Sequence, residues 1–130
     1  MSQPRVPKNF DFNEKVDKSF IFSLYEQDFV YITEVFGSSL ESLDTDVEDL
    51  ESSFRGGNLV ELRKAVHKLK PIFGFTGLLD HQEKIGLFEQ QAAMAGNTDA
   101  VSHEFDELMK VIRDGKRIIE DEHRRLTDFI

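Results

Sequence analysis

Between Phe29 and Phe54 the apolar residues Phe29, Ile32, Phe36, Leu40, Leu43, Val47, Leu50 and Phe54 recur at spacings of three and four. That period places all of them on one side of a helix, whereas a strand would alternate every second residue. One long helix with a single face to bury is therefore expected, and such a face needs partners. The chain supplies them. Leu59, Leu62, Val66, Leu69 and Phe73 form a second stripe, Ile85, Phe88, Ala92 and Ala95 a third, and Val101, Phe105, Leu108, Ile112, Ile119 and Leu126 a fourth. Gly56-Gly57, Gly77 and Gly96-Asn97-Thr98 punctuate them. Asn58 with Glu61, and Asp80 with Glu83, have the spacing of helix N-termini, and Thr98 or Asn97 caps the last helix.

Four amphipathic helices on short loops bury their stripes together. The expected fold is all-α, an antiparallel up-down-up-down four-helix bundle with a short additional N-terminal helix. That extra helix spans Ser19 to Tyr25, a buried strand being the competing reading. Gly37-Ser38-Ser39 is expected to bend the first long helix. Gly115 lies on the last apolar stripe and is expected to admit a bulky neighbour such as a Phe. Residues 1–18 hold prolines and only isolated apolar positions, Phe10, Phe12 and Val16, and read as a tail or loosely docked arm; residues 19–130 form the domain.

The 130 residues carry a net charge of −9 and no cysteine. Disulfides and thiolate chemistry are excluded, and the acidity disfavours nucleic acid as a partner, because such binding depends on many Lys and Arg contacts to phosphates. With no signal-peptide core and no apolar run of membrane-span length, no membrane association is expected and a cytoplasmic protein is. Glu120-Asp121-Glu122-His123 contains one Glu-x-x-His pair, too few ligands for a bundle metal site, and no Walker-type phosphate loop occurs. No metal and no cofactor are expected.

One stretch reverses the local charge: Arg63, Lys64, Lys68 and Lys70 surround His67, with only Glu61 opposing them. At about 100° per residue, Val66, Leu69 and Phe73 stay within about 40° of Leu62, while His67 falls about 140° away with Lys70, Arg63, Gly74, Val60 and Pro71 on its side. His67 is thus expected to face solvent. An accessible, neutral imidazole is a nucleophile, and a lysine one turn away can stabilise charge on a transferring phosphoryl group. His81 also has a lysine three residues on, Lys84, but its next neighbours are Ile85 and Phe88, so it is expected to be a surface residue of a capping region. His103 and His123 are expected to be exposed.

The run His67-Lys68-Leu69-Lys70, followed by Gly74 and Gly77-Leu78 within this order of helices, resembles the signature of histidine phosphotransfer domains over residues 20 to 130. The resemblance implies a carrier in a multistep two-component phosphorelay, not an enzyme, that accepts a phosphoryl group from a receiver-domain aspartate and passes it to another receiver. It further implies response-regulator receivers and a hybrid histidine kinase as partners. His67 would be the phospho-acceptor, Lys70 the phosphoryl-stabilising cation, and Gly74 the small residue that gives the partner access. A polar side chain on the next helix would orient the imidazole, and counting along the chain gives Glu89, with Gln90 beside it. The docking surface is expected to centre on Val60 and Pro71, rimmed by Arg63, Lys64 and Lys68, on a monomer. Pro71 departs from the family pattern and is expected to kink or loosen the helix at the active position. The other reading is a helical adaptor that docks receivers without phosphotransfer, and the joint presence of His67, Lys70 and Gly74 favours the carrier.

Overall fold

The computed structural model describes residues 9–130. Five α-helices follow in order among them: α1 Lys18–Tyr25, α2 Phe29–Arg55, α3 Leu59–Phe75, α4 Leu79–Met94 and α5 Ser102–Phe129, with a 3-10 turn at Asp99–Val101 leading into α5. Short connections make successive long helices antiparallel. Helix α2 packs on α3 and α5, and α4 packs on the same two, which closes the expected up-down-up-down bundle.

Local chemistry sets most of the boundaries. Asp17, Asp28 and Asn58 each accept a hydrogen bond from the backbone N–H three residues on, at 2.9, 3.0 and 3.1 Å, which satisfies donors the first helical turn leaves open. Gly77 takes φ 72°, the left-handed region that favours glycine, and a Cβ there would stand 2.8 Å from Ile21 Cγ1. Helix α1 thereby lies directly on the turn between α3 and α4. The start of α4 differs from expectation. It begins after Leu78 with no side-chain cap, and Asp80 sits inside the first turn, where its charge suits the helix dipole. Asn97 accepts from the N–H of Ala100 at 3.0 Å ahead of the 3-10 turn.

The four stripes meet in one core, in which Phe36, Leu43, Leu50, Leu62, Leu69, Phe73, Ile85 and Ile119 are fully buried. Each such side chain contributes about 1.5–3 kcal/mol relative to exposure. Phe73 lies against the bare backbone of Gly115, so closely that any side chain there would collide with its ring. Helix α2 runs unbroken through Gly37, and what that glycine provides is room for the half-buried ring of His123, whose Nε2 would stand 2.9 Å from a Cβ. His123 is therefore not the fully exposed residue expected.

The segment ahead of α1 is packed, not loose. Phe10, Phe12 and Val16 are 5, 8 and 5% exposed, and the Phe10 ring meets Phe12, Phe29 and Phe129 at centroid distances of 4.7, 6.3 and 5.3 Å. Backbone groups fix it as well. Glu122 accepts from the N–H of Asn13 at 3.0 Å, Arg125 donates to the carbonyl of Asp11 at 2.6 Å, and the N–H of Asp17 donates to the carbonyl of Gly77 at 2.8 Å. The physical reason is the open aromatic end of the bundle, where Phe22, Phe29 and Phe129 would otherwise face water. Residues 1–8 of the expected tail lie outside the described residues. Among those described, no helix is long and apolar enough to cross a membrane.

Candidate functional site

Helix α3 buries Leu62, Val66, Leu69 and Phe73 and turns His67 outward with its side chain 77% exposed. Glu89, half-buried on α4, reaches across to it. His67 Nδ1 lies 2.8 Å from Glu89 Oε2, and Lys70 Nζ lies 2.7 Å from Glu89 Oε1, so a single carboxylate joins the imidazole and the lysine. The donation from Lys70, seconded by that from His67, holds the Glu89 carboxyl below the usual carboxylate range against the opposing effect of burial. An ionised carboxylate can only accept. In the neutral ring Nδ1 therefore carries the proton, and the lone pair resides on Nε2, the nitrogen not engaged by Glu89.

Around this triad runs a groove of about 810 Å³ between α3 and α4, lined by Val60, Arg63, Lys64, His67 and Lys68 on one side and by Glu89, Gln90 and Ala93 on the other. Sequence reasoning names all of these but Ala93, which no chemical signal marks. The cations are partly tethered: Lys64 pairs with Glu61 at 3.5 Å, and Lys68 reaches back to the buried Asp46 of α2 at 3.3 Å. Two residues expected to act with His67 lie outside this groove. Pro71 is exposed on α3 but does not line the groove, and α3 remains helical from Leu59 to Phe75 with the proline inside it. Gly74 is buried, and the space above it is filled by Gln82, whose Nε2 would stand 2.6 Å from a Cβ at that position.

His81 corrects the sequence reading most. Instead of a surface position it is 8% exposed, stacked on Phe73 with an interplanar angle of 9°, and its Nε2 lies 2.8 Å from Asp114 of α5. Asp114 also receives Lys15 at 3.2 Å and Arg117 at 2.7 Å, and its carboxyl is held below the usual range, chiefly by His81 and then by Lys15. His81 Nδ1 is buried with no hydrogen-bond partner among the described residues. Only Gly115 on the last stripe, with Asp114 next to it in sequence, could have pointed to it. His103 is exposed, as expected.

No family model matches the chain, and no curated protein matches it. A solved structure does: the HPT domain from a sensor hybrid histidine kinase of Shewanella, with a TM-score of 0.72 and 14% sequence identity over 85% of this chain and 95% of that one. At such identity the likeness is one of architecture, and on that ground the chain has the fold of a histidine phosphotransfer domain.

Proposed function

We propose that this protein is a phosphorelay carrier that accepts a phosphoryl group on His67 from the aspartyl phosphate of a receiver domain and delivers it to a second receiver. The observation that carries this reading is the orientation of one ring, exposed to solvent, with Nδ1 anchored on Glu89 and the lone pair of Nε2 left for attack. In the transfer, Nε2 forms the N–P bond while the P–O bond to the donor aspartate breaks, its electron pair leaving with the aspartate carboxylate. Nδ1 keeps its proton, so the ring becomes a cation beside Glu89. The reverse sequence of bonds loads the next receiver.

Glu89 acts as a positioning residue, since it fixes the tautomer without touching phosphorus. Lys70 supplies positive charge one turn from the acceptor. Arg63, Lys64 and Lys68 form a basic rim on an otherwise acidic molecule, suited to the acidic pocket of a receiver, and Val60 gives the groove an exposed apolar floor. The protein works as a monomer in the cytoplasm, with receivers and a hybrid kinase as partners.

Incubation with a phosphorylated receiver should leave an acid-labile, alkali-stable phosphate on the wild-type protein and none on His67→Gln. Label persisting in His67→Gln would refute the assignment. Receiver binding by the wild type with no label at all would leave the adaptor reading in its place.

A further inference from the structure

We propose that Lys70 changes partner during the cycle, holding Glu89 while the ring is bare and moving to the phosphoryl oxygens once the ring is loaded. This rests on the carrier reading of His67. In the bare protein one carboxylate serves two donors, Lys70 at 2.7 Å and His67 at 2.8 Å, so the cation assigned to the phosphoryl group is already engaged. The triad is then neutral, with one positive charge, one negative charge and an uncharged ring.

Loading breaks this balance. The ring acquires a positive charge, because Nε2 is substituted while Nδ1 keeps its proton, and the phosphoryl group brings two negative charges to the far edge of the same ring. If Lys70 stayed in place, Glu89 would hold two cations and the phosphoryl group would have none from the triad. With Lys70 transferred, Glu89 neutralises the cationic ring and Lys70 neutralises the phosphoryl oxygens. Opposite charges then sit next to one another throughout.

The local geometry allows the move. Lys70 lies one turn after His67, and side chains on a helix lean toward its N-terminus, which aims the lysine stem at the imidazole. Its Cδ passes over Gly86, 3.9 Å from where a Cβ would stand, so α4 offers a smooth surface along which four methylenes can slide. An ammonium with three rotatable donors changes acceptor without a fixed fork to disengage. Of the cations that line the groove, Lys64 is paired with Glu61 and Lys68 with Asp46, which leaves Arg63 as the competitor to Lys70, one turn before the ring.

The full chain, labelled with 13C and 15N, is loaded with phosphoramidate, a small donor that requires no receiver. Scalar coupling across the hydrogen bond from Lys70 Nζ should run to Glu89 Cδ in the bare protein, vanish on loading, and be replaced by coupling to 31P. Persistence of the coupling to Glu89 in the loaded protein, or 31P coupling to Arg63 in place of Lys70, would overturn the exchange. In Glu89→Gln the Lys70 ammonium should lose its slow hydrogen exchange in the bare form and regain it on loading; unchanged exchange in the bare variant would also overturn it. A wild-type protein that takes up no phosphate at His67 from a phosphorylated receiver refutes the carrier reading instead, so the two failures are distinct.

Discussion

His67 and His81 are built alike and placed oppositely. Each has one ring nitrogen 2.8 Å from a carboxylate of another helix, and each carboxylate also binds a lysine, Lys70 in one case and Lys15 in the other. The imidazole side chain is 77% exposed at His67 and 9% at His81. The engaged nitrogen differs too: Glu89 takes Nδ1 and frees the outer Nε2, whereas Asp114 takes Nε2 and leaves Nδ1 enclosed in the core. A histidine, carboxylate and lysine in contact are thus no signature of reactivity by themselves. Which nitrogen keeps its lone pair, and whether a partner can reach it, separates the proposed acceptor from a strut.

The most decisive way to break this contrast is to remove the buried ring. His81→Gln should still take phosphate on His67 to the wild-type extent per folded molecule, because the enclosed imidazole contributes no acceptor. It should nevertheless cost about 2 kcal/mol through lost packing on Phe73 and an unmatched Asp114, lowering the melting temperature by roughly 5–10 °C. Calorimetry alongside a labelling assay reads both quantities. Labelling that falls in step with loss of His81, in a sample shown to be folded, would make the buried pair part of the chemistry.

A second effect, confined to stability, tests the buried pair by pH. The folded-state value of Asp114 lies below its unfolded value, mainly because His81 donates to it and secondarily because Lys15 does. Its stabilisation is therefore fully present above the ordinary carboxylate range, about pH 4, and is lost as pH falls through the depressed value. Asp114→Ala should cost about 1–3 kcal/mol at pH 7, since it leaves a buried ring without its acceptor. Urea unfolding of both proteins should show that gap narrowing below pH 4. A gap of constant size down to pH 2 would mean that Asp114 acts through packing and not through charge.

How far these regions were legible depends on how local their causes are. The stripes of α2 to α5 could be read because burial imposes the helical period on neighbouring residues, whereas Glu89 was reached only through the family resemblance, which implies a polar residue on the next helix. The packing of Phe10, Phe12 and Val16 was not legible: three apolar residues without a period do not disclose that Phe29 and Phe129 form the open end they cover. His81 was misread for a related reason. Its burial follows from Asp114 and Gly115, more than thirty residues later, and from α4 beginning at Leu79, with no capping side chain ahead of it to bring the ring to the surface. Gly74 fell between these cases. It lies on the His67 side of the helical wheel, but nothing in the spacing revealed that Gln82 would occupy the room it leaves.

Gly74 gives the finest test of the comparison, because it lies between the two histidine pairs: Gln82, which covers it, is the residue after His81, while Lys70 is one turn before it on α3. If its lack of a side chain serves a docked receiver, Gly74→Ala should slow transfer strongly and leave stability alone. The contact points the other way. A Cβ at 74 meets the amide end of Gln82, the flexible tip of a half-exposed side chain that can swing toward solvent, while alanine recovers about 1 kcal/mol of helix propensity relative to glycine. Gly74→Ala should therefore change stability by less than about 1 kcal/mol and transfer by less than about twofold, with Gln82 displaced. A rapid-quench measurement showing a tenfold or greater loss of transfer at unchanged stability would restore the glycine as the clearance a partner needs, and would extend the docking surface from the groove at Val60 two turns along α3 past His67.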